Sequence, residues 1–251
     1  AARMVGSFLP PAGLPLASLI DGFLISNLMG KSIVLVQLAS SIVAAAVIIG
    51  KNKELNGIVR NNKRFLREFL RGHDVLDYYL MRKKGVTTSI ELIYDRSCER
   101  MVKLLDPDMR RSVIGRQSDA SQAALSAREI DLVRSTCEHT VQEEEIRIEH
   151  GMPLLATIVT ASPMLGLLGT VWGVLDAFAD MGTKGTVLLS EIAPAISSAL
   201  VTTVVGLLVA IPSAIFYNTL ATKVRQLSSD MVGFADELLG RIACEFQGRS
   251  D

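Results

Sequence analysis

The sequence has little from which a catalytic or metal site is built. Its three histidines, His73, His139 and His150, stand apart from one another and from any carboxylate at ligand spacing. Its three cysteines, Cys98, Cys137 and Cys244, show no CxxC spacing. No Walker or dinucleotide fingerprint occurs, so any energy input is ionic rather than drawn from a nucleotide. No catalytic residue, cofactor or firm metal-ligand set is assigned. Aromatic residues are also scarce, 5% against 49% hydrophobic overall, so small aliphatic side chains supply most of the apolar bulk. That balance suits tightly packed membrane helices.

Charge is missing from two long stretches, Met152–Leu175 and Ile192–Asn218. At about 1.5 Å per residue, each exceeds the roughly 20 residues that cross a hydrocarbon core. A third apolar run, Ser32–Gly50, is bounded by Lys31 on one side and by Lys51 and Lys53 on the other. Only Gln37 and Ser40–Ser41 interrupt it, and they read as helix-contact residues. The expected fold is therefore an all-α integral membrane protein with three transmembrane helices.

What the long runs do contain is patterned. On a helical period, Pro163, Gly166, Thr170, Gly173 and Ala177 form one stripe. Ala195, Ala199, Thr203, Gly206 and Ala210 form another, with Ser198 and Thr202 on its flank. Such stripes let helices approach closely, with Gly166, Gly169, Gly173, Ala199 and Gly206 as packing positions. A threonine near the middle of each apolar run points further, to a polar cavity or ion path.

The charge that is present is unevenly placed. Of the 26 Lys and Arg, 19 lie in residues 51–150, 4 follow residue 219, and the others are Arg3, Lys31 and Lys184. Nucleic-acid binding is one reading of the basic stretch after residue 50; positive charge that orients a membrane helix is the preferred one, with lipid and not nucleic acid as the partner. The expected order is an N-terminal periplasmic or interfacial segment at 1–31, spans at 32–50, 152–179 and 192–218, a cytoplasmic helical region at 51–151, a periplasmic loop at 180–191 and a cytoplasmic C-terminal helix at 219–251. All three cysteines then lie in cytoplasmic segments, where thiols stay reduced.

Within the first segment, Pro10, Pro11 and Pro15 break any continuous span, which argues against a retained signal peptide. Leu16, Leu19, Ile20, Phe23 and Leu24 share a helical face opposite Asp21, as in a short interfacial helix or a subunit contact. In the polar region, Leu55, Ile58, Phe65, Leu66, Phe69 and Leu70 recur at helical steps, and Gly85 and Pro107 punctuate two more helical pieces. From Asp119 a long helix is expected, with Leu125, Ile130, Val133, Cys137 and Val141 inward and the Glu143–Glu145 cluster either on a solvated face or attracting cations. The tail places Leu227, Met231, Phe234, Leu238 and Ile242 on one face, suited to subunit packing.

The strings LLATIVTASPMLGLLGTVWGVLDAF and IAPAISSALVTTVVGLLVAIPSAIFYN carry a family resemblance. Their GLLGTVWG core, the AP opening the last helix and the AIP–YN exit resemble the TolQ/ExbB branch of the TolQ/ExbB/MotA ion-channel family. The resemblance is close over the C-terminal third and follows only the layout elsewhere. It implies a bacterial inner-membrane homopentamer with a periplasmic N-terminus and a cytoplasmic C-terminus. Its membrane helices would extend into long cytoplasmic helices, and its last two spans would line a pore. It implies a dimer of an ExbD/TolR-like single-span subunit in that pore, contributing an aspartate, and a TonB/TolA-like energy transducer beyond it. The expected function is that of an ion-conducting motor subunit that couples Na⁺ or H⁺ flow to work on a periplasmic or outer-membrane partner. The pore threonines fall on Thr170 and Thr203 and the kink proline on Pro163, which frees a carbonyl one turn earlier.

One departure bears on the ion. Family members usually read A-E-A-L before the last-helix threonine, whereas this chain reads Ser197-Ser198-Ala199-Leu200. Ser198 cannot titrate near neutral pH, and Thr202 stands beside Thr203 as in sodium-driven stators. Hydroxyl and carbonyl oxygens suit a hard cation, so a Na⁺ site at Thr170 and Thr203 is the sharper expectation, with proton relay through water the other. A flagellar stator of the MotA type would need a fourth apolar span. A non-conducting membrane scaffold fits the stripes but predicts no effect of Thr→Val changes.

Overall fold

A computed structural model of the chain describes Phe23 and residues 27–70, 75–76, 78–79, 88–105, 125–184 and 189–246. Within them lie five long helices: α1 (Leu28–Phe69), α2 (Ser89–Leu104), α3 (Ala127–Glu149), α4 (Met152–Lys184) and α5 (Leu189–Phe246). The amphipathic face expected at Leu16–Leu24 (Phe23 apart), the punctuation at Gly85 and Pro107, and His73 lie outside the described residues. Three helical stretches, in α1, in α3 with α4, and in α5, are long and apolar enough to cross a membrane.

The helix expected from Asp119 begins instead at Ala127, and a capping box explains the start. The Ser126 hydroxyl accepts from the Glu129 amide at 3.3 Å, and the Ser126 amide donates to the Glu129 carboxylate at 2.8 Å. The expected run of this helix into the second span is interrupted at His150 and Gly151. Gly151 takes φ 86°, a left-handed conformation that side-chain-bearing residues adopt only with strain. α1 passes the expected boundary at residue 50 unbroken, and α5 does the same at residue 218. α4 continues beyond residue 179 to Lys184.

The chain divides into two compact units, one from residues 1–49 with 151–219, the other from 50–150 with 220–251. The first is built inside out. Its interior holds Gln37, Ala44, Ser162, Ser198, Ala199, Thr202, Ala210 and Ser213 beside a few large aliphatics such as Val34, Leu155 and Val209, while Leu35, Ile42, Met164, Leu167, Val171, Leu175, Leu200, Leu208 and Ile215 face outward. Large apolar side chains outside and small or polar ones inside are what a hydrocarbon solvent favours, because lipid supplies no hydrophobic drive to bury leucine.

The second unit follows the opposite rule. Leu55, Ile93, Met101, Val133, Cys137, Ile148, Leu227, Met231, Leu238 and Ile242 are buried, and most charges lie outside, Lys51, Glu91 and Glu144 being the covered ones. The stripe Leu125, Ile130, Val133, Cys137 and Val141 points inward as expected. The tail stripe from Leu227 to Ile242 is covered by its own chain instead of standing free for a neighbouring subunit. Aromatic rings pack against one another here. Phe65 meets Tyr78, Phe234 and Tyr94 at 5.1, 5.8 and 5.7 Å between ring centres, and Arg241 lies over the Phe69 ring at 4.7 Å.

The acidic cluster of α3 is occupied by local partners. Arg96 donates to Glu143, Glu145 accepts from Ser228, and Glu144 is nearly buried against Arg147 at 2.6 Å, which also reaches the Ser89 hydroxyl at 3.1 Å. His139, expected to stand alone, lies 3.3 Å from Glu143 one turn along the helix. The cluster therefore ties helices together within this unit.

Tyr94 shows how this core depends on satisfied polar atoms. Its ring is fully buried, and its hydroxyl donates to the Val75 carbonyl and accepts from the Tyr79 amide at 3.0 Å. Burial pushes its acidity far down, so it remains a neutral donor. Tyr94→Phe keeps the ring and orphans both backbone groups, at a cost of about 1–3 kcal/mol. Urea unfolding of the purified protein in mild detergent is expected to show a lowered midpoint; an unchanged one would contradict this role.

Candidate functional site

Within the first unit, α4 and α5 meet along a seam of glycines and hydroxyls. A Cβ built on Gly166 would stand 2.8 Å from Thr203 Cα and 2.9 Å from the Thr202 carbonyl oxygen. One on Gly206 would stand 2.6 Å from the Ser162 carbonyl oxygen, and one on Gly173 would stand 2.5 Å from Ala199 Cβ. Gly169 leaves the space that the Thr202 side chain fills. All five expected packing positions thus lie on this seam.

Close approach brings hydroxyls onto a carbonyl of the facing helix. Thr203 Oγ1 lies 2.9 Å from the Gly166 carbonyl oxygen. Thr202 Oγ1 lies 3.0 Å from the same oxygen and 2.7 Å from the Ala199 carbonyl in its own helix. A threonine hydroxyl has one proton, so Thr202 divides its donation between two acceptors while Thr203 gives its proton across the seam. Both oxygens keep lone pairs, which is what a water proton or a cation requires.

The remaining expected site residues fall around this point. Thr170, half-exposed, donates to the Leu167 carbonyl of its own helix at 2.8 Å, one turn beyond Gly166. Pro163 sits inside α4 and has no N–H, so the Val159 carbonyl loses its usual helical partner. Ser198 is buried and donates to the Ala195 carbonyl at 2.9 Å. It lines a cavity of about 10 Å³ with Asn27, Gly169, Trp172 and Gly173, on the order of one water molecule. Nearby, Asn27 donates to the Asp176 carboxylate.

The seam is turned slightly from the sequence stripes. Thr202, placed on the flank by periodicity, is fully buried at the centre, whereas Thr203 is half-covered. On α4 the covered line runs through Ser162, Gly166, Gly169 and Ala177. Gln37 of α1 also enters: its Nε2 donates to the Ser162 carbonyl at 3.2 Å. The signal was present in the sequence, since Gln37 is the one amide in the first apolar run, but its address on α4 was not. No group of three or more His, Cys, Asp or Glu gathers at metal-binding distance among the described residues.

An inside-out unit of three membrane-length helices, sealed by glycines and hydroxyls, defines a helical membrane protein with a polar interior seam. A family model described as "MotA/TolQ/ExbB proton channel family" matches residues 109–232, which include this seam. The chain belongs to that family.

Within it, the relatives place the chain in the TolQ/ExbB branch. It is 28% identical over 222 residues to the Tol-Pal system protein TolQ of Haemophilus influenzae, covering 87% of this chain and 90% of that protein. It is 39% identical over 97 residues to the Tol-Pal system protein TolQ of Pseudomonas aeruginosa, covering 39% of this chain and 42% of the relative. It is 38% identical over 96 residues to the biopolymer transport protein ExbB of Neisseria gonorrhoeae, covering 38% of this chain and 44% of the relative. The last two matches thus span less than half of either protein.

The seam makes a steric prediction. Gly166→Ala and Gly206→Ala each press a methyl into backbone of a facing helix, an overpacking that costs about 1–3 kcal/mol. Gly57→Ala meets nothing within 4 Å and serves as the control. Thermal unfolding in detergent is expected to fall for the first two and to hold or rise for the third. Equal behaviour of all three would remove the close approach.

Proposed function

We propose that the chain is the ion-conducting subunit of an ion-driven inner-membrane motor of the TolQ/ExbB type, with the α4–α5 seam as its path. The observation that carries this reading is the convergence of the Thr202 and Thr203 hydroxyls on the Gly166 carbonyl, inside stretches that hold no charge. A charge crossing such a segment costs at least a few kcal/mol unless polar groups meet it, and this is where the chain supplies them. The outward leucines, valines and isoleucines are then lipid- and subunit-facing, in a homopentamer around an ExbD/TolR-like dimer whose aspartate provides the titratable group. A TonB/TolA-like transducer carries the work outward. A non-conducting scaffold accounts equally for the glycines and for hydroxyls bonded across the seam, and ion flux that Thr203→Val abolishes would exclude it.

The coupling ion under this reading is the proton. A relay needs only hydroxyls, water and the partner's carboxylate, and Thr202 is too tightly enclosed to join the several oxygens that Na⁺ requires. The second reading is Na⁺ at Thr170 and Thr203, both partly exposed, and it is favoured by Ser198 standing where relatives of this kind carry a glutamate. The complex with its partner, reconstituted in proteoliposomes, separates the two. Thr203→Val is expected to abolish ion flux while assembly persists. Flux that survives replacement of Na⁺ by K⁺ and is lost with a protonophore supports the proton; strict Na⁺ dependence overturns it; wild-type flux in Thr203→Val overturns the path.

The proposed topology places residues 1–31 and 180–191 in the periplasm, and 51–151 and 219–251 in the cytoplasm, with spans at 32–50, 152–179 and 192–218. Cys244 is the thiol that reports on it, because it is exposed while Cys98 and Cys137 are buried. Burial also raises the pKa of both buried thiols, leaving them protonated and inert. A membrane-impermeant thiol reagent is expected to label Cys244 only after cells are permeabilised. Labelling of Cys244 in intact cells would reverse the orientation.

A further inference from the structure

Gln37 is fully covered by its own chain, at 0% exposure. Its Nε2 donates to the Ser162 carbonyl oxygen at 3.2 Å. A Cβ built on Gly206 would stand 2.8 Å from that nitrogen, and one on Gly166 would stand 3.4 Å from it. The two glycines at the centre of the seam therefore also make room for an amide from α1. Its other polar atom, Oε1, is buried and has no hydrogen-bond partner among the described residues.

An amide oxygen stripped of water and left unpaired costs about 1–3 kcal/mol, so a donor is required. Turning the amide over does not supply one: Oε1 would then face the Ser162 carbonyl, acceptor against acceptor, and the NH₂ would be orphaned instead. A second subunit does not supply one either, because nothing outside the chain can touch a side chain with no exposed surface. The missing donor is internal and small. Oε1 shares its carbon with Nε2, so this donor lies in the same buried neighbourhood as the Nε2–Ser162 contact.

We propose that Gln37 Oε1 holds a buried water molecule, making Gln37 a positioning residue that brings α1 into the polar seam. The water donates one proton to Oε1. Its second proton and its lone pairs face the seam, where the Thr203 hydroxyl and Gly166 carbonyl lie. Glutamine suits the task because it is neutral and offers a donor and an acceptor from one planar group. A link to transport rests on the reading of the seam as an ion path; the water itself does not.

Two measurements on the complex with its partner test this separately. A density map fine enough to show ordered water is expected to carry a peak about 2.7–3.2 Å from Oε1. A map in which Oε1 meets a protein donor, or nothing, overturns the proposal whatever the transport result. In proteoliposomes, Gln37→Met is expected to keep assembly and unfolding temperature while proton flux falls at least tenfold. Gln37→Glu, which keeps an acceptor oxygen at the site, is expected to retain flux at the acid end of its pH profile. Wild-type flux in Gln37→Met, or flux lost only together with assembly, would reduce Gln37 to a helix clamp and overturn its positioning role. If the unaltered complex carries no flux at all, the ion-path reading fails, and the map alone decides on the water.

Discussion

The approach of α4 to α5 is the constraint on which the first unit depends. Gly166 and Gly206 face backbone of the opposite helix at distances that no side chain tolerates. Their bareness lets Thr203 reach the Gly166 carbonyl and lets Gln37 reach the Ser162 carbonyl. Packing and polar satisfaction are therefore one feature here. In hydrocarbon, an unpaired hydroxyl or amide has no water to fall back on, and dispersion between closely fitted backbones replaces the hydrophobic drive. A methyl at either glycine would separate the helices and strand these polar groups together.

The two units obey different solvents, and the same helices serve both. α1 and α5 each supply an inside-out stretch and a stretch with an ordinary aliphatic and aromatic core. The change of rule coincides with the return of charge, at Lys51 in α1 and at Lys223 in α5. The Lys51 side chain is largely covered and bonds Glu54 at 3.0 Å, while Lys223 donates to Asn52 at 2.8 Å and to Asn56 at 3.0 Å. A helix that changes environment has no need to end where it does so, because its backbone bonds are internal throughout. That is why boundaries at residues 50 and 218, placed from hydropathy, mark changes of surface and not of secondary structure.

Much of the site was legible because close packing restricts residue types. Gly166, Gly173, Ala199 and Gly206 could be placed on the seam from periodicity alone, since small residues at helical spacing have few other uses in an apolar run. The rotation of the helices was not legible. Thr202 and Thr203 are adjacent, and which is buried depends on how α5 turns against α4, a matter of a fraction of a helical step. The bond from Gln37 to Ser162 spans 125 residues, and no local pattern encodes such a pairing. In the second unit, the face carrying Leu227, Met231 and Phe234 is legible as apolar but its partner is not, because a stripe shows that it is buried and not by what.

The seam is also weak in a useful way. A hydrogen bond between side chains and backbone inside a membrane is worth on the order of 1 kcal/mol, because the loosened state finds other partners. Exchanging the Thr203–Gly166 bond for a contact to water or to a passing ion therefore changes the balance little. A fixed carboxylate on α5 would behave differently, since an uncompensated buried charge costs several kcal/mol and demands a standing partner. With Ser198 in that position, the α4–α5 interior stays neutral, and its polar groups take either a facing carbonyl or a visitor at similar cost. Between Ser198 and Ala210 this chain therefore supplies a neutral, reversible lining with no titratable group of its own.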